Sequence, residues 1–135
     1  MKISRGLRNN NPLNIRRNST KWKGLSAKQT DREFFSFVDA CWGYRAAFVA
    51  LRNYYLRHSL KTLRAWINRW APPVENDTDA YVRFVSRVSG IDADAELDIN
   101  DEDSMLRIVS AMSHMENGVQ AEAQDVKKGW QLAFG

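Results

Sequence analysis

From residue 39 onward, apolar positions recur every three or four residues, the spacing of one buried helix face. Asp39 can cap a long helix running to about Arg57, with Tyr44, Ala47, Phe48, Leu51 and Tyr55 on its apolar face. Thr62 can cap a short helix presenting Leu63, Trp66, Ile67 and Trp70, and Ala71-Pro72-Pro73 stops it. Asp77 or Thr78 opens the next helix, whose face is Tyr81, Phe84, Val85 and Val88, with Gly90 as its C-terminal cap. Residues 91–100 read as an acidic loop. Asn100 or Asp101 then starts a helix striped by Met105, Ile108, Val109 and Met112, which Asn117-Gly118 ends. A final helix carries Ala123, Val126, Trp130 and Ala133.

The first 38 residues lack this period. Asn9-Asn10-Asn11-Pro12 is a loop signal, because Asn accepts turn geometry and Pro fixes it. Leu13 to Arg16 reads as a short extended piece, and Trp22-Lys23-Gly24 as a turn. In Arg32 to Val38, Phe35 and Phe37 alternate, which predicts a strand. Together these predict a small β-hairpin lobe, too small to stand alone. Strands first and helices after imply a mainly α (α+β) fold, not a parallel α/β one. A chain of 135 residues suits a single domain over residues 1–135.

Composition sharpens this picture in two places. The net charge of +4 conceals an asymmetry: residues 1–70 hold 15 Lys/Arg against 3 Asp/Glu, and residues 71–135 hold 5 against 13. A basic half implies an anionic partner such as cell-wall glycan, nucleic acid or a membrane surface; alternatively the two halves attract each other. Nucleic acid is the weaker reading, since the basic residues are scattered and make no recognition helix. The single cysteine, Cys41, excludes an internal disulfide and reads as a buried thiol. No apolar run approaches the roughly 20 residues of a membrane span. The N-terminus has no signal-type stretch, so synthesis in the cytoplasm and delivery by another system are expected.

Glu116 is the foremost candidate for chemistry. At about 100° per residue it continues the stripe of Met105, Val109 and Met112. A carboxylate on an apolar stripe is costly unless paired or protonated. At a helix C-terminus the macrodipole also opposes its charge. Both effects raise its pKa, as a general acid requires. The plain alternative is a structural salt bridge to an arginine of the basic half.

Other candidates are weaker one by one. Asn10, Asn11 and Asn14 offer uncharged amides suited to sugar hydroxyls and N-acetyl groups, or ordinary turn chemistry. Glu75, after Pro72-Pro73, has no evident structural task and could be a second carboxylate. Glu33 would share a strand face with Phe35 and Phe37, an uncomfortable place for a charge. Tyr44 and Tyr81 could line a groove, and Trp22 or Trp70 could stack on sugar faces; core packing competes for each. His58 and His114 have no metal-ligand spacing, there is no phosphate-binding glycine loop, and no metal or cofactor is expected.

Asn10-Asn11-Pro12-Leu13-Asn14-Ile15-Arg16, then Trp22-Lys23-Gly24, Phe34 to Phe37, and Gly43-Tyr44-Arg45-Ala46 follow a familiar order. The set resembles the β lobe and following helix of flagellar-type glucosaminidases in the lysozyme superfamily. It is also similar to short phage and prophage proteins described as lysozymes or virion structural proteins. In those, runs like Asn-Asn-Pro-x-Asn-Ile-Arg and Trp-Ala-Pro-Pro-x-Glu-Asn-Asp-Thr recur, and Trp70 to Thr78 matches the second throughout. The likeness covers roughly residues 5–90.

The resemblance implies a lysozyme-like domain that cleaves β-1,4 bonds of peptidoglycan, as a hydrolase or a lytic transglycosylase. Its partners would be glycan strands and other phage virion proteins, and it would act on the cell wall after delivery by a virion or lysis system. In the superfamily, however, the catalytic Glu ends a helix preceding the β lobe. Here no Glu precedes Asn10, and the comparable helix, ending Glu116-Asn117-Gly118, comes last but one. A circular permutation would reconcile the two, with Glu116 as the acid and Glu75 or Glu33 as its substitutes. The alternative is a non-catalytic virion or cell-wall-binding protein of the same fold.

Overall fold

The computed structural model describes residues 3–135. Among these, six helices follow in order: α1 (Arg5–Arg8), α2 (Ala40–His58), α3 (Leu63–Trp70), α4 (Thr78–Ser89), α5 (Glu102–Asn117) and α6 (Ala123–Phe134). The fold is mainly helical. Helices α2 to α6 begin and end within a residue or two of the positions their caps and stripes indicate. Thr62 Oγ1 accepts from Ala65 N at 3.1 Å, and Asp77 Oδ1 accepts from Ala80 N at 3.1 Å. Gly90 and Gly118 end α4 and α5 in the left-handed conformation, both at φ 73°.

The expected β-hairpin lobe is not formed. Residues 13–38 are extended and lie antiparallel, but only two isolated bridges join them, Arg16 with Phe34 and Leu25 with Phe37. Side-chain amides reinforce the short backbone pairing, which runs from Arg17 N to Glu33 O, Phe35 N to Ile15 O, Ser26 N to Ser36 O and Val38 N to Gly24 O. Asn11 Nδ2 donates to the carbonyls of Ile15 (3.0 Å) and Phe35 (2.9 Å), while its Oδ1 accepts from Ile15 N (2.9 Å). Gln29 Nε2 donates to Ser26 O and Ser36 O, and its Oε1 accepts from Ser36 N. Ile15 O and Ser36 O accept from these amides as well as from the facing backbone, Phe35 N at 3.1 Å and Ser26 N at 2.9 Å. Helix α1 replaces part of the turn-rich beginning expected there; Ser4 Oγ caps it at Leu7 N.

The main core gathers Leu13 with side chains of α2 to α6, among them Phe48, Leu51, Trp66, Ile67, Val85, Ile108 and Met112, all fully buried. Leu97 and Ile99 of the acidic loop turn into it. A second, smaller cluster of Phe35, Phe37 and Ala46 holds the extended segment against α2, with Trp22 and Trp42 packed on its edge. Helix α6 lies on α2 so closely that a Cβ on Gly129 would stand 2.6 Å from Tyr44 Cβ. Among the described residues three ion pairs join the basic half to the acidic half: Arg16–Glu75, Lys61–Glu96 and Arg64–Asp94. Part of the charge asymmetry is thus met internally, at exposed positions where each pair contributes little. Among the described residues no helix is long and apolar enough to cross a membrane.

Candidate active site

Met105, Val109 and Met112 of α5 are buried in the core, and Glu116, next on the same stripe, emerges where the core opens. Its carboxylate faces a cleft of about 390 Å³. One wall is Leu13, Asn14, Arg16 and Phe34; the other is Arg69, Trp70, Pro72, Glu75 and Asn76. Trp70 Nε1 donates to Leu13 O at 3.1 Å, which ties the walls together at the base.

Two neutral donors hold Glu116. Asn14 Nδ2 donates to Oε1 at 2.8 Å, and the Tyr81 hydroxyl donates to Oε2 at 2.9 Å. Among the described residues no cation lies within ion-pairing distance of it. The structural salt bridge weighed from the sequence is therefore not made. Burial pushes the Glu116 carboxyl above its ordinary value, and the bonds from Asn14 and Tyr81 offset only part of that. Burial, then the neighbouring carboxylate, pushes the Tyr81 phenol well above its own usual value, so it remains a donor throughout the working range.

The end of α5 is fixed by the N-terminal segment. Ser4 Oγ donates to Asn117 Oδ1 at 2.7 Å, and Asn117 Nδ2 donates to Pro12 O at 2.8 Å. Asn14 itself sits in the left-handed region, φ 53°, a conformation Asn accepts more readily than most side chains. Gly6 completes the junction: a Cβ there would meet Asn117 Oδ1 at 2.7 Å and Asn14 Oδ1 at 2.9 Å.

No family model matches the chain. Protein P5 of Pseudoalteromonas phage PM2 is 40% identical to it over 135 residues, spanning 97% of this chain and 82% of the phage protein. The chain belongs to the family of this phage protein. The P5-type fold brings together some of the residues singled out from sequence and separates others.

Asn14, Tyr81 and Glu116 meet, and Glu75 lines the same cleft. Glu75 and Glu33 are both exposed and share Arg16, each at 3.4 Å. Glu33 also pairs with Arg5 at 3.2 Å. Without a regular strand it does not share the buried face of Phe35 and Phe37. Asn10, Asn11, Tyr44 and Tyr81 do not line the cleft, contrary to expectation; Tyr81 is buried and reaches Glu116 from the core side. Asn10 Nδ2 donates to Phe37 O, Asn11 is fully buried among backbone carbonyls, and the buried Tyr44 hydroxyl bonds with Ser113. Trp22 packs in the second cluster, whereas Trp70 reaches the cleft.

Arg16, Phe34, Arg69 and Asn76 line the cleft without having been singled out for it. Arg5 and Arg16 stand over the Phe34 ring, at 4.7 and 5.1 Å from its centre. The Arg5 guanidinium holds the Asp31 carboxyl well below the usual range, and Asp31 in turn accepts from the backbone of Glu33 and Phe34. This wall is therefore built by ion pairs and turn bonds. Only the position of Arg16 at the end of the Asn-Asn-Pro-Leu-Asn-Ile-Arg run hinted at it.

Proposed function

We propose that this protein cleaves the β-1,4 glycan strands of peptidoglycan, with Glu116 as the general acid. The observation that carries this reading is the state of Glu116: buried enough to favour its protonated form, held by two neutral donors, and open to a cleft. A carboxyl whose pKa burial raises holds its proton to higher pH than an ordinary Glu and can deliver it to a leaving glycosidic oxygen. The carboxylate left behind is stabilised by Asn14 and Tyr81 and can take a proton back in the second step. One Glu then serves as acid and as base, with the sugar's own hydroxyl attacking, as in a lytic transglycosylase. Hydrolysis would instead need a second carboxylate or a held water on the other face; Glu75 lies in the cleft for that role, but Arg16 engages it. Trp70 offers its ring to a sugar, while Phe34 is covered by the guanidiniums of Arg5 and Arg16.

Within this reading the chain is a circularly permuted lysozyme-like domain. Helix α5 comes late, yet its end joins the Asn-rich segment through Ser4, Pro12 and Asn14. A second reading, a cell-wall-binding virion component without catalysis, draws on the phage origin of the relative. Either would act on the wall after delivery by a virion or lysis system. Turnover of purified peptidoglycan by the unsubstituted chain and by Glu116→Gln, with products read by mass spectrometry, separates the two. Release of muropeptides that the variant abolishes supports catalysis, and anhydro ends identify the transglycosylase route. No release by either protein favours the binding component.

A further inference from the structure

The two walls of the cleft are joined twice. At the base Trp70 Nε1 donates to Leu13 O at 3.1 Å. At the rim the Arg16 guanidinium meets Glu75 at 3.4 Å, both side chains being 59% exposed. All four residues line the cleft, so Leu13 to Arg16 and Trp70 to Glu75 make a closed loop across it. Neither partner of the rim contact hangs free. Arg16 is also held by Glu33 at 3.4 Å and stands over the Phe34 ring at 5.1 Å. Glu75 N and Asn76 Nδ2 both donate to Pro72 O at 3.1 Å, and Pro72-Pro73 fixes the backbone just before, so Glu75 is carried on a stiff turn. A polymer strand laid between the walls runs into this contact and continues only where the ion pair opens. A strand end meets no such demand. The cleft, at about 390 Å³, also suits a short stretch of sugar rather than a long one.

We infer that the cleft accepts the ends of glycan strands in preference to their interior, and that the Arg16–Glu75 contact is the bar that sets this preference. This rests on the reading of Glu116 given above and adds to it the form in which the substrate is taken. Arg16 and Glu75 act here as specificity-determining residues, not as reacting groups. An exposed ion pair is weak, so the bar yields: breaking it should raise interior cleavage relative to end cleavage by up to about fivefold. Salt screens exposed charges and should act in the same direction.

The test is digestion of purified peptidoglycan glycan strands of long, uniform length, with the products sized over time. End cleavage releases short fragments from the start while the remaining strands keep most of their length; interior cleavage shortens the whole population at once. The unsubstituted chain is expected to show the first pattern. Arg16→Gln and Glu75→Gln break the bar from opposite walls, and each should raise the ratio of interior to end cuts, by up to about fivefold, whatever its total rate. Arg16→Lys keeps the charge and should keep the parental ratio. Raised salt should move the parent's ratio toward that of the two glutamine variants and leave theirs in place. An interior pattern in the parent, or a ratio that Arg16→Gln leaves unmoved, overturns the inference. Product release that Glu116→Gln abolishes upholds the reading of Glu116 whichever pattern is seen, and a parent that releases nothing overturns both.

Discussion

Asn14 and Glu116 stand 102 residues apart in the chain and share a 2.8 Å hydrogen bond. The bond joins a left-handed turn near the N-terminus to the last turn of α5, so it is both a fold contact and a control on the acid. Replacement should expose both roles. Asn14→Ala loses the bond and strains the backbone at φ 53°, for a combined cost of about 2 kcal/mol; Asn14→Gly relieves the strain and costs about 1 kcal/mol. Chemical denaturation of the two variants measures the difference. Equal losses would show that backbone conformation is not part of the cost.

The raised carboxyl of Glu116 has consequences of opposite sign for activity and for stability. Activity requires the proton, so the rate should fall as pH rises through the folded-state pKa. Stability follows linkage: a carboxyl whose folded pKa exceeds its unfolded one binds its proton more tightly in the native state. Its contribution is full at pH below the unfolded pKa and is lost as pH rises through the folded pKa. Glu116→Gln removes this dependence. The variant should melt above the parent at pH 8, and the gap should close as pH falls toward the ordinary carboxyl range. On peptidoglycan it should turn over about 10²- to 10⁴-fold more slowly. A parent that stays ahead at alkaline pH would refute the placement of a strained, buried carboxylate.

Tyr81→Phe tests the other donor. The phenol gives its hydrogen bond to Glu116 at 2.9 Å and lies on the buried face of α4 beside Val82 and Val85. Its loss leaves the ionised carboxylate with one partner, so the Glu116 pKa should rise further and the alkaline limb of the pH–rate profile should move upward. Stability at acid pH should change by no more than about 1 kcal/mol. An unmoved alkaline limb would mean that Tyr81 does not control the acid.

Helices α2 to α6 were legible because each carries a buried stripe, with caps or stops sharpening some of the ends; Asp39 and Asp101 precede α2 and α5 without making a side-chain cap bond. Cap and period agree at Thr62, Asp77, Gly90 and Gly118. Helix α1 was not, since Arg5-Gly6-Leu7-Arg8 is too short for a period. The alternation of Phe35 and Phe37 does bury both rings, but it does not report how far the backbone pairing extends; it stops at two isolated bridges, supplemented by the amides of Asn11 and Gln29. Glu116 was visible as a charge on an apolar stripe. Its partners were visible only as polar residues of unassigned direction, and Asn10, Asn11 and Asn14 look alike in sequence although one reaches the carboxylate and two bind backbone.

The α2–α6 contact sets a stability prediction away from the cleft. A Cβ at Gly129 would lie 2.6 Å from Tyr44 Cβ and 2.9 Å from the Arg45 backbone nitrogen, both in a fixed helix. Neither neighbour can swing aside, so Gly129→Ala should force the helices apart and cost about 1–3 kcal/mol despite alanine's better helix propensity. A variant as stable as the parent would show that α6 can shift freely on α2.

Glu33 and Glu75 decide how many carboxylates the chemistry uses. Both are exposed, both lean on Arg16 at 3.4 Å, and only Glu75 lines the cleft. If Glu116 acts alone, Glu33→Gln and Glu75→Gln should each retain turnover within about fivefold, since an exposed ion pair contributes at most about 1 kcal/mol, and the products should keep anhydro ends. If Glu75 activates a water, Glu75→Gln should instead lose about 10²-fold or more, and the parent should give reducing ends. Arg16→Gln distinguishes restraint from chemistry: it frees Glu75 without removing it. A rise in reducing-end product in that variant would show that Arg16 holds a competent second carboxylate away from the sugar.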